Sequence, residues 1–562
     1  MKKNDIIELD IVDIGVNAEG IGKALGYTFF VKNAVMGDRV EAVITKMNKG
    51  YGFAKMLKVI KPSPYRCIPA CDICNQCGGC QIMQISYDAQ LQFKENKVRN
   101  NLERIGGVKF ASSENNDLDA AKFLPIIGME LNGFSQIPNA SLSAQANLIK
   151  EDTPIHYRNK VQFPVGKNKE GKTITGFYAG RTHYIIETDT CPASLEFNDK
   201  ILEVVRSFLD ENLVSTYSED TNEGLVRHVL IRNGFATGQT MVCLVINGDS
   251  LAGGKNFFKR DNCSSDSKSL EMDNYSNNSN SLERANSLEQ KFVSALLSLN
   301  DDFMKITSIC LNVNKEKTNV ILGRKTVSLY GPLYIEDKIK SADPLMNELA
   351  FRISPLSFYQ VNPYQTAKLY DEALTLAGDL SNATVWDLYC GIGTISLFLA
   401  QKAKKVIGVE IVPEAIEDAK ENAALNGMNN VEFICGKSEE VFLELVGSLD
   451  DDGNVRSADI VVLDPPRKGC DKVLLDKILE VGPERIIYVS CDSATLARDI
   501  KILSESYKLV SARPVDMFPN TTHVETVVEL RGENVDSYIE VNLETKNLKA
   551  RPGNATYKEI QD

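Results

Sequence analysis

Two periods of hydrophobic residues divide the chain. Near its start, apolar and polar positions alternate over Ile6-Ile7-Glu8-Leu9-Asp10-Ile11 and over Arg39-Val40-Glu41-Ala42-Val43-Ile44, the period of half-buried strands. Glycines 15, 20, 22, 26 and 37 break these runs into short pieces. Short strands punctuated in this way predict a small β-barrel over residues 1–60, an architecture that often holds oligonucleotides. A helical stretch follows from Ala89 to Ile105. Residues from about 120 to 345 are mixed and β-rich, with Lys160–Val165 and Val226–Arg232 as clear strands. Within them, Gly253 to Arg284 is dominated by Ser, Asn and Asp, and we read 253–284 as a disordered insertion. From about 355 to 532 strands and helices alternate. The strands are Thr384–Leu388, Lys405–Glu410, Val431–Cys435, Asp459–Asp464, Arg485–Ser490 and Thr526–Leu530. The helices between them are Ile395–Ala403, Pro413–Leu425, Leu474–Leu479 and Thr495–Ser504. That order predicts a Rossmann-like, doubly wound α/β domain with a mostly parallel sheet. The expected organisation is therefore a barrel (1–60), a central domain (61–345), an α/β domain (346–532) and a polar tail (533–562).

Composition narrows the function. With 562 residues the chain is too long for one core. No run of 18 apolar residues is present, which argues against a membrane helix. The first residues, Met1-Lys2-Lys3-Asn4-Asp5, lack an apolar export core, so a cytoplasmic protein is expected. The net charge of −13 does not exclude a nucleic-acid partner, because binding depends on local patches. From Asp38 to Lys61 the cations Arg39, Lys46, Lys49, Lys55, Lys58 and Lys61 face only Asp38 and Glu41. Thirteen cysteines are present and five of them crowd between Cys67 and Cys80. In a reducing compartment such crowding indicates metal ligation rather than disulfides.

The α/β segment carries the candidate chemistry. Gly391 and Gly393, in Asp387-Leu388-Tyr389-Cys390-Gly391-Ile392-Gly393, follow a strand and open a helix, as a nucleotide-cofactor loop requires. The third glycine of a dinucleotide fingerprint and the Lys-Ser/Thr of a phosphate loop are both absent. A cofactor without phosphates is therefore expected, and S-adenosylmethionine fits. Glu410 ends the next strand, where a carboxylate can grip ribose hydroxyls. Asp464-Pro465-Pro466-Arg467 forms a stiff corner after a further strand. Cys491 sits beyond Ser490, beside Asp492 and before a helix, a setting that favours a thiolate. Glu525 lies at another strand boundary, and His523 is the rival base. Together they suit covalent catalysis followed by proton removal.

Five segments occur in order: Phe358-Tyr359-Gln360-Val361-Asn362, the Asp387–Gly393 loop, Asp464-Pro465-Pro466-Arg467, Ser490-Cys491, and Asp516 to Glu525. In these the chain resembles the RNA 5-methyluridine (uracil-C5) methyltransferase family, in its 23S ribosomal RNA branch. The resemblance covers nearly the whole chain apart from 253–284 and the tail. It implies a TRAM β-barrel, a central iron-sulfur domain and a methyltransferase domain. It implies that Gln360, Tyr389, Glu410 and Asp464 line an S-adenosylmethionine site with Gly391 and Gly393, that Cys491 is the nucleophile and that Glu525 removes the C5 proton. The implied partner is 23S ribosomal RNA, with no membrane and no DNA, and the chain is expected to act as a monomer.

The cysteines allow several frames. Cys71-x5-Cys77-Gly78-Gly79-Cys80 with the distant Cys191 matches the family's motif for a 4Fe-4S cluster. By spacing alone four cysteines suit zinc equally. Cys67-x3-Cys71-x2-Cys74 spells the radical S-adenosylmethionine motif, but the barrel pattern that goes with it is missing. Tyr157-Arg158-Asn159-Lys160 and Arg227-His228 to Arg232 offer cations and an aromatic ring to single-stranded RNA. Against an enzyme stands a different class, a catalytically decayed RNA-binding or ribosome-assembly factor; intact Cys491, Glu525 and glycine loop favour the enzyme.

Overall fold

The fold comes from a computed structural model that describes residues 1–111, 120–130, 153–180, 182–252, 277–450 and 453–532, with side chains beyond the 253–276 gap described from Ser287. The insertion up to 276 and the tail 533–562 lie outside these residues. Where the description resumes, the expected insertion 253–284 is already the start of a helix, Asn277–Leu297. Its apolar stripe, Leu288, Phe292, Val293 and Leu296, comes late, so the polar first half shows no helical period.

The first five strands, β1 (Ile6–Ile14), β2 (Gly20–Ala24), β3 (Tyr27–Lys32), β4 (Arg39–Met47) and β5 (Tyr51–Lys61), close into the expected barrel in the order β1-β2-β3-β5-β4. Alternation places Leu9, Ile11, Phe29, Val31, Val40, Ala42 and Ile44 inside. The six cations of the basic run are exposed on β4, β5 and the turn between them. Asp38 is buried and receives both Nε and Nη2 of Arg66, at 3.1 and 2.5 Å. This fork ties the cysteine segment to the barrel.

Helix α1 (Tyr87–Arg104) leads to the short strand β6 (Lys122–Phe123). The central strands are β7 (Lys160–Lys167), β8 (Thr173–Tyr178), β9 (Ile185–Glu187), β10 (Val226–Asn233), β11 (Gln239–Ile246), β12 (Lys305–Val313) and β13 (Lys325–Tyr330). They form one sheet in the order β13-β12-β11-β10-β7-β8-β9. Helices α2 (Glu196–Glu211) and α3 (Asn277–Leu297) cover one face. From the other face Leu230, Met241, Cys243 and Cys310 join the core of the following domain. Covered on both sides, this sheet and the residues leading into it bury five of the residues expected to touch RNA, whereas Arg158 and Lys160 stay half-buried. Tyr157, Asn159, Arg227, His228 and Arg232 are all buried. Arg227 donates to the carbonyls of Asn314 and Glu316, and Arg232 to those of Pro355 and Ser357. These five are structural, and that expectation is corrected.

After the hairpin β14 (Ile335–Ile339) and β15 (Leu349–Ile353) comes α4 (Pro363–Ala377). The alternation then runs β16 (Thr384–Leu388), α5 (Thr394–Ala400), β17 (Lys405–Glu410), α6 (Pro413–Leu425), β18 (Val431–Cys435), α7 (Ser438–Leu445), β19 (Ile460–Leu463), α8 (Lys472–Val481), β20 (Arg485–Ser490), α9 (Ser493–Leu503), β21 (Tyr507–Val515) and β22 (Glu525–Gly532). Sheet order is β18-β17-β16-β19-β20-β22-β21-β6. The five strands from β18 to β20 are parallel; β22 runs antiparallel to β20 and to β21. Val385 faces α4 and α5, whereas Trp386 and Leu388 face α7 and α8.

Besides those central-sheet residues, two earlier pieces cross the sequence boundary between 61–345 and 346–532. Val98 and Leu102 of α1 enter the core beneath α9, and β6 extends the sheet as its last strand, parallel to β21. Helix α1 buries one face and β6 is only two residues long, so nothing in their own sequence names their partner.

Candidate active site

The parallel strands β16, β17, β19 and β20 end at one edge, and because β22 is antiparallel its first residue lies at that same edge. Ser490 pairs with Thr526, which sets Cys491 and Glu525 side by side just beyond the last ladder pair. Tyr389, Glu410, Asp464, Cys491 and Glu525 thus converge from five strands, as ligands do in open α/β sheets.

After β16 the chain turns sharply, with φ of +71° at Tyr389, +55° at Gly391 and +79° at Gly393. A Cβ at Gly393 would stand 2.8 Å from the Phe433 ring, so this glycine is required by both space and backbone. The Gly391 N–H donates to Glu410 Oε2 at 3.2 Å, and the Val412 N–H donates to Oε1 at 3.0 Å. Glu410 is thereby fixed against the loop.

A narrow pocket, with a cavity volume of about 20 Å³, lies beside this loop, lined by Phe358, Tyr370, Asp387, Tyr389, Gly391 and Asp464 among others. Gln360, Glu410 and Gly393 are not among them. Gln360 is buried, and its main-chain carbonyl accepts a hydrogen bond from Asn159 Nδ2 at 2.8 Å. Asp387 had no role in the sequence-based expectation, although a carboxylate in the apolar run Val385-Trp386-Asp387-Leu388 was its signal. Its Oδ2 accepts from Ser396 Oγ at 2.5 Å, while Oδ1 has no partner. Burial pushes Asp387 up to about 6. Burial and then repulsion from Asp387 push Asp464 up to about 7. Two carboxyls strained in this way favour a cationic ligand between them; a cofactor bearing an ammonium and a sulfonium group fits that donor set.

Glu525 is buried, and its pKa is raised to about 8 by desolvation and by Asp464, against the pull of Arg467. Half-buried Cys491 is pushed up to about 11 by desolvation, then Glu525 and Asp464, again opposed by Arg467. The expected thiolate is therefore corrected for the free protein. The amides at the start of α9 are taken by the Asp492 carboxylate, whose Oδ1 accepts from Ala494 and Thr495 at 2.9 and 3.1 Å. His523, the rival base, is lowered to about 4 by burial, Arg467, Lys97 and Lys94. A carboxylate with a pKa of about 8 is the stronger proton acceptor of the two. The role of Arg467 as a cation that opposes the rise at both groups emerges only from the fold.

A second cavity, of about 370 Å³, is lined by Cys71, Cys74, Cys77, Cys80 and Cys191. Cys67 is not part of the lining; its Sγ points to the Met83 carbonyl at 3.4 Å. The radical-enzyme frame is therefore divided. Among the described residues no three His, Cys, Asp or Glu side chains are close enough to clasp a single metal ion.

Residues 282–533 match the family model described as tRNA (Uracil-5-)-methyltransferase, and residues 2–57 match the TRAM domain. A Clostridium tetani protein named an uncharacterized RNA methyltransferase is 41% identical over 94% of this chain and 96% of its own length. A Halalkalibacterium halodurans protein of the same description is 41% identical over 95% and 98%. The fold is like that of Pyrococcus abyssi tRNA (uracil-54, C5)-methyltransferase, crystallised with S-adenosyl-L-homocysteine. The TM-score is 0.60 at 22% identity, covering 93% of this chain and 100% of that one.

Proposed function

The chain belongs to the RNA uracil-5-methyltransferase family, and from that premise we propose that it methylates C5 of a uridine in 23S ribosomal RNA, in the cytoplasm, with S-adenosylmethionine as donor. One observation carries the chemistry. Cys491 and Glu525, far apart in sequence, meet at one sheet edge beside the carboxylate-lined space and the Gly391–Gly393 loop. Bound there, the cofactor supplies an electrophilic methyl group on a sulfonium. Asp387 and Asp464 match its positive charge, Glu410 its ribose, and Tyr389 and Phe358 wall the space. A cation seated against Asp464 also removes part of the repulsion that holds protons on Glu525 and Cys491.

The uridine must leave its stack to enter, at a cost of roughly a few kcal/mol. The Cys491 thiolate adds to C6 of the uracil, which gives C5 enolate character. C5 then takes the methyl group, whose bond to the sulfonium breaks and leaves its electron pair on sulfur as a neutral thioether. Glu525 removes the C5 proton, the electron pair of that bond restores the C5–C6 double bond, and Cys491 leaves. The exposed cations of β4 and β5 suit RNA phosphates.

In this proposal Cys71, Cys77, Cys80 and Cys191 hold a 4Fe-4S cluster. Zinc needs its sulfurs about 2.3 Å from one ion, whereas these thiols surround a cavity, the arrangement that a cluster of several irons needs.

The test is transfer of labelled methyl from S-adenosylmethionine to unmodified 23S RNA, with tRNA alongside. Transfer to 23S RNA and formation of a stable adduct with 5-fluorouridine RNA through Cys491 are expected, and Cys491→Ala should abolish both. Transfer to tRNA alone would refute the ribosomal target, and persistent methylation by Cys491→Ala would refute the mechanism.

A further inference from the structure

The loop between β21 and β22, residues 516–524, delivers Glu525 to the site; Asn362 and Gln365 hold its start, at the Met517 and Asp516 carbonyls, and most of its other anchors come from residues 81–157. Lys94 Nζ, on α1, reaches Asp516 Oδ1 at 2.5 Å and the Phe518 carbonyl at 2.9 Å. Tyr157 donates its hydroxyl to the Pro519 carbonyl at 2.9 Å. Asn520, held at φ +65°, has its N–H on Gln90 Oε1 at 2.9 Å, and its carbonyl accepts the Ile82 N–H at 3.1 Å.

The last anchor is Thr522, three positions before Glu525. Its N–H donates to Gln81 Oε1 at 3.4 Å, and its carbonyl accepts from Lys97 Nζ at 2.9 Å. The other end of the same Gln81 amide, Nε2, donates to the carbonyls of Gly78 at 2.7 Å and Gly79 at 3.3 Å. Those two glycines join Cys77 to Cys80. One side chain thus spans from the turn that carries two cavity-lining thiols to the peptide that leads into Glu525. Thr521 itself lines the cysteine cavity.

We propose that Gln81 and Lys97 are positioning residues for Glu525: they clamp the Thr522 peptide from both sides, so that the cysteine-bearing turn sets where the proton acceptor stands. This rests on the proposed roles of Cys491 and Glu525. It gives the cysteine segment a task in the reaction that is separate from RNA binding. The step at stake is removal of the C5 proton, whose electron pair re-forms the double bond and expels Cys491. A displaced Glu525 leaves addition at C6 and methyl capture intact and slows release, so enzyme remains bonded to methylated RNA.

The experiment uses Gln81→Ala and Lys97→Met in the full protein with ordinary uridine-containing 23S RNA. Expected are a fall in kcat of about tenfold or more, in line with small misplacements of a catalytic group, and an unchanged Kd for RNA. A denaturant-stable protein–RNA adduct should build up during turnover, while the parent enzyme accumulates none. Wild-type kcat in both variants would overturn the proposal, and so would a fall in kcat without adduct. Adduct formation on 5-fluorouridine RNA should stay at the parental rate in both variants. If the parent itself forms no such adduct, the covalent mechanism fails instead, and the two failures are distinguishable.

Discussion

Removing Lys94 should unseat the whole 516–524 loop. Its ammonium and the Asp516 carboxylate are both fully buried, 0% exposed on each side, at 2.5 Å. Burial lowers the pKa of Lys94, and Asp516 opposes that shift. Lys94→Met keeps the stem volume but strands Asp516 in the core, while the Phe518 carbonyl loses one donor and keeps those of Thr521. Breaking a buried pair from one side costs about 3–5 kcal/mol. For a body of this size that is a fall in Tm of about 6–20 °C, at about 2–4 °C per kcal/mol. Calorimetry with guanidinium titration measures it. Lys94→Met with Asp516→Leu should recover most of the loss, because two apolar side chains can replace a buried pair at little cost. A single-variant loss below about 1 kcal/mol, the range of exposed pairs, would refute the reasoning. So would a double variant no better than the single.

Four further outcomes are expected. The rate constant kcat/KM for RNA should climb with pH and not level off below about 8, the value to which burial and Asp464 push Glu525; Arg467→Met should move this limb to higher pH, and a limb that stays put would count against the Arg467 assignment. In stability the sign is reversed: folded Glu525 keeps a proton that an ordinary carboxyl releases near 4.5, so its contribution declines as pH rises from 4.5 to about 8. Gly393→Ala, with φ +79° and a Cβ 2.8 Å from Phe433, should carry about 1–3 kcal/mol of strain and weaken S-adenosylhomocysteine binding in calorimetry, whereas unchanged affinity would separate the loop from the cofactor. Cys191→Ser should lose bound iron and its visible absorbance, and Cys67→Ser, whose thiol lies outside the cavity, should keep both.

Local signals were legible in the chain itself. Strands Thr384–Leu388, Lys405–Glu410, Val431–Cys435 and Arg485–Ser490 and helix Pro413–Leu425 have the bounds predicted for them; for the central strands this is because a strand buried on both faces is a largely apolar run that ends at turn residues. The five-stranded barrel followed from alternation and glycine spacing in the same way. Helix α4 was missed, as were α7 and β21, whose short amphipathic stretches carry no strong period. Tertiary structure decided the rest. Antiparallel β22 brings Glu525 opposite Cys491, Asp492 rather than Cys491 caps α9, and α1 buries Lys94 against a loop more than four hundred residues away. It also turned Tyr157, Arg227 and Arg232 from expected RNA contacts into core residues, and gathered distant Cys191 with the cysteines of the 71–80 segment around one cavity. A side chain's period along the chain reports whether one face of its own element is buried; which partner buries it, and which charge then loses its water, is settled only when elements far apart in sequence pack together.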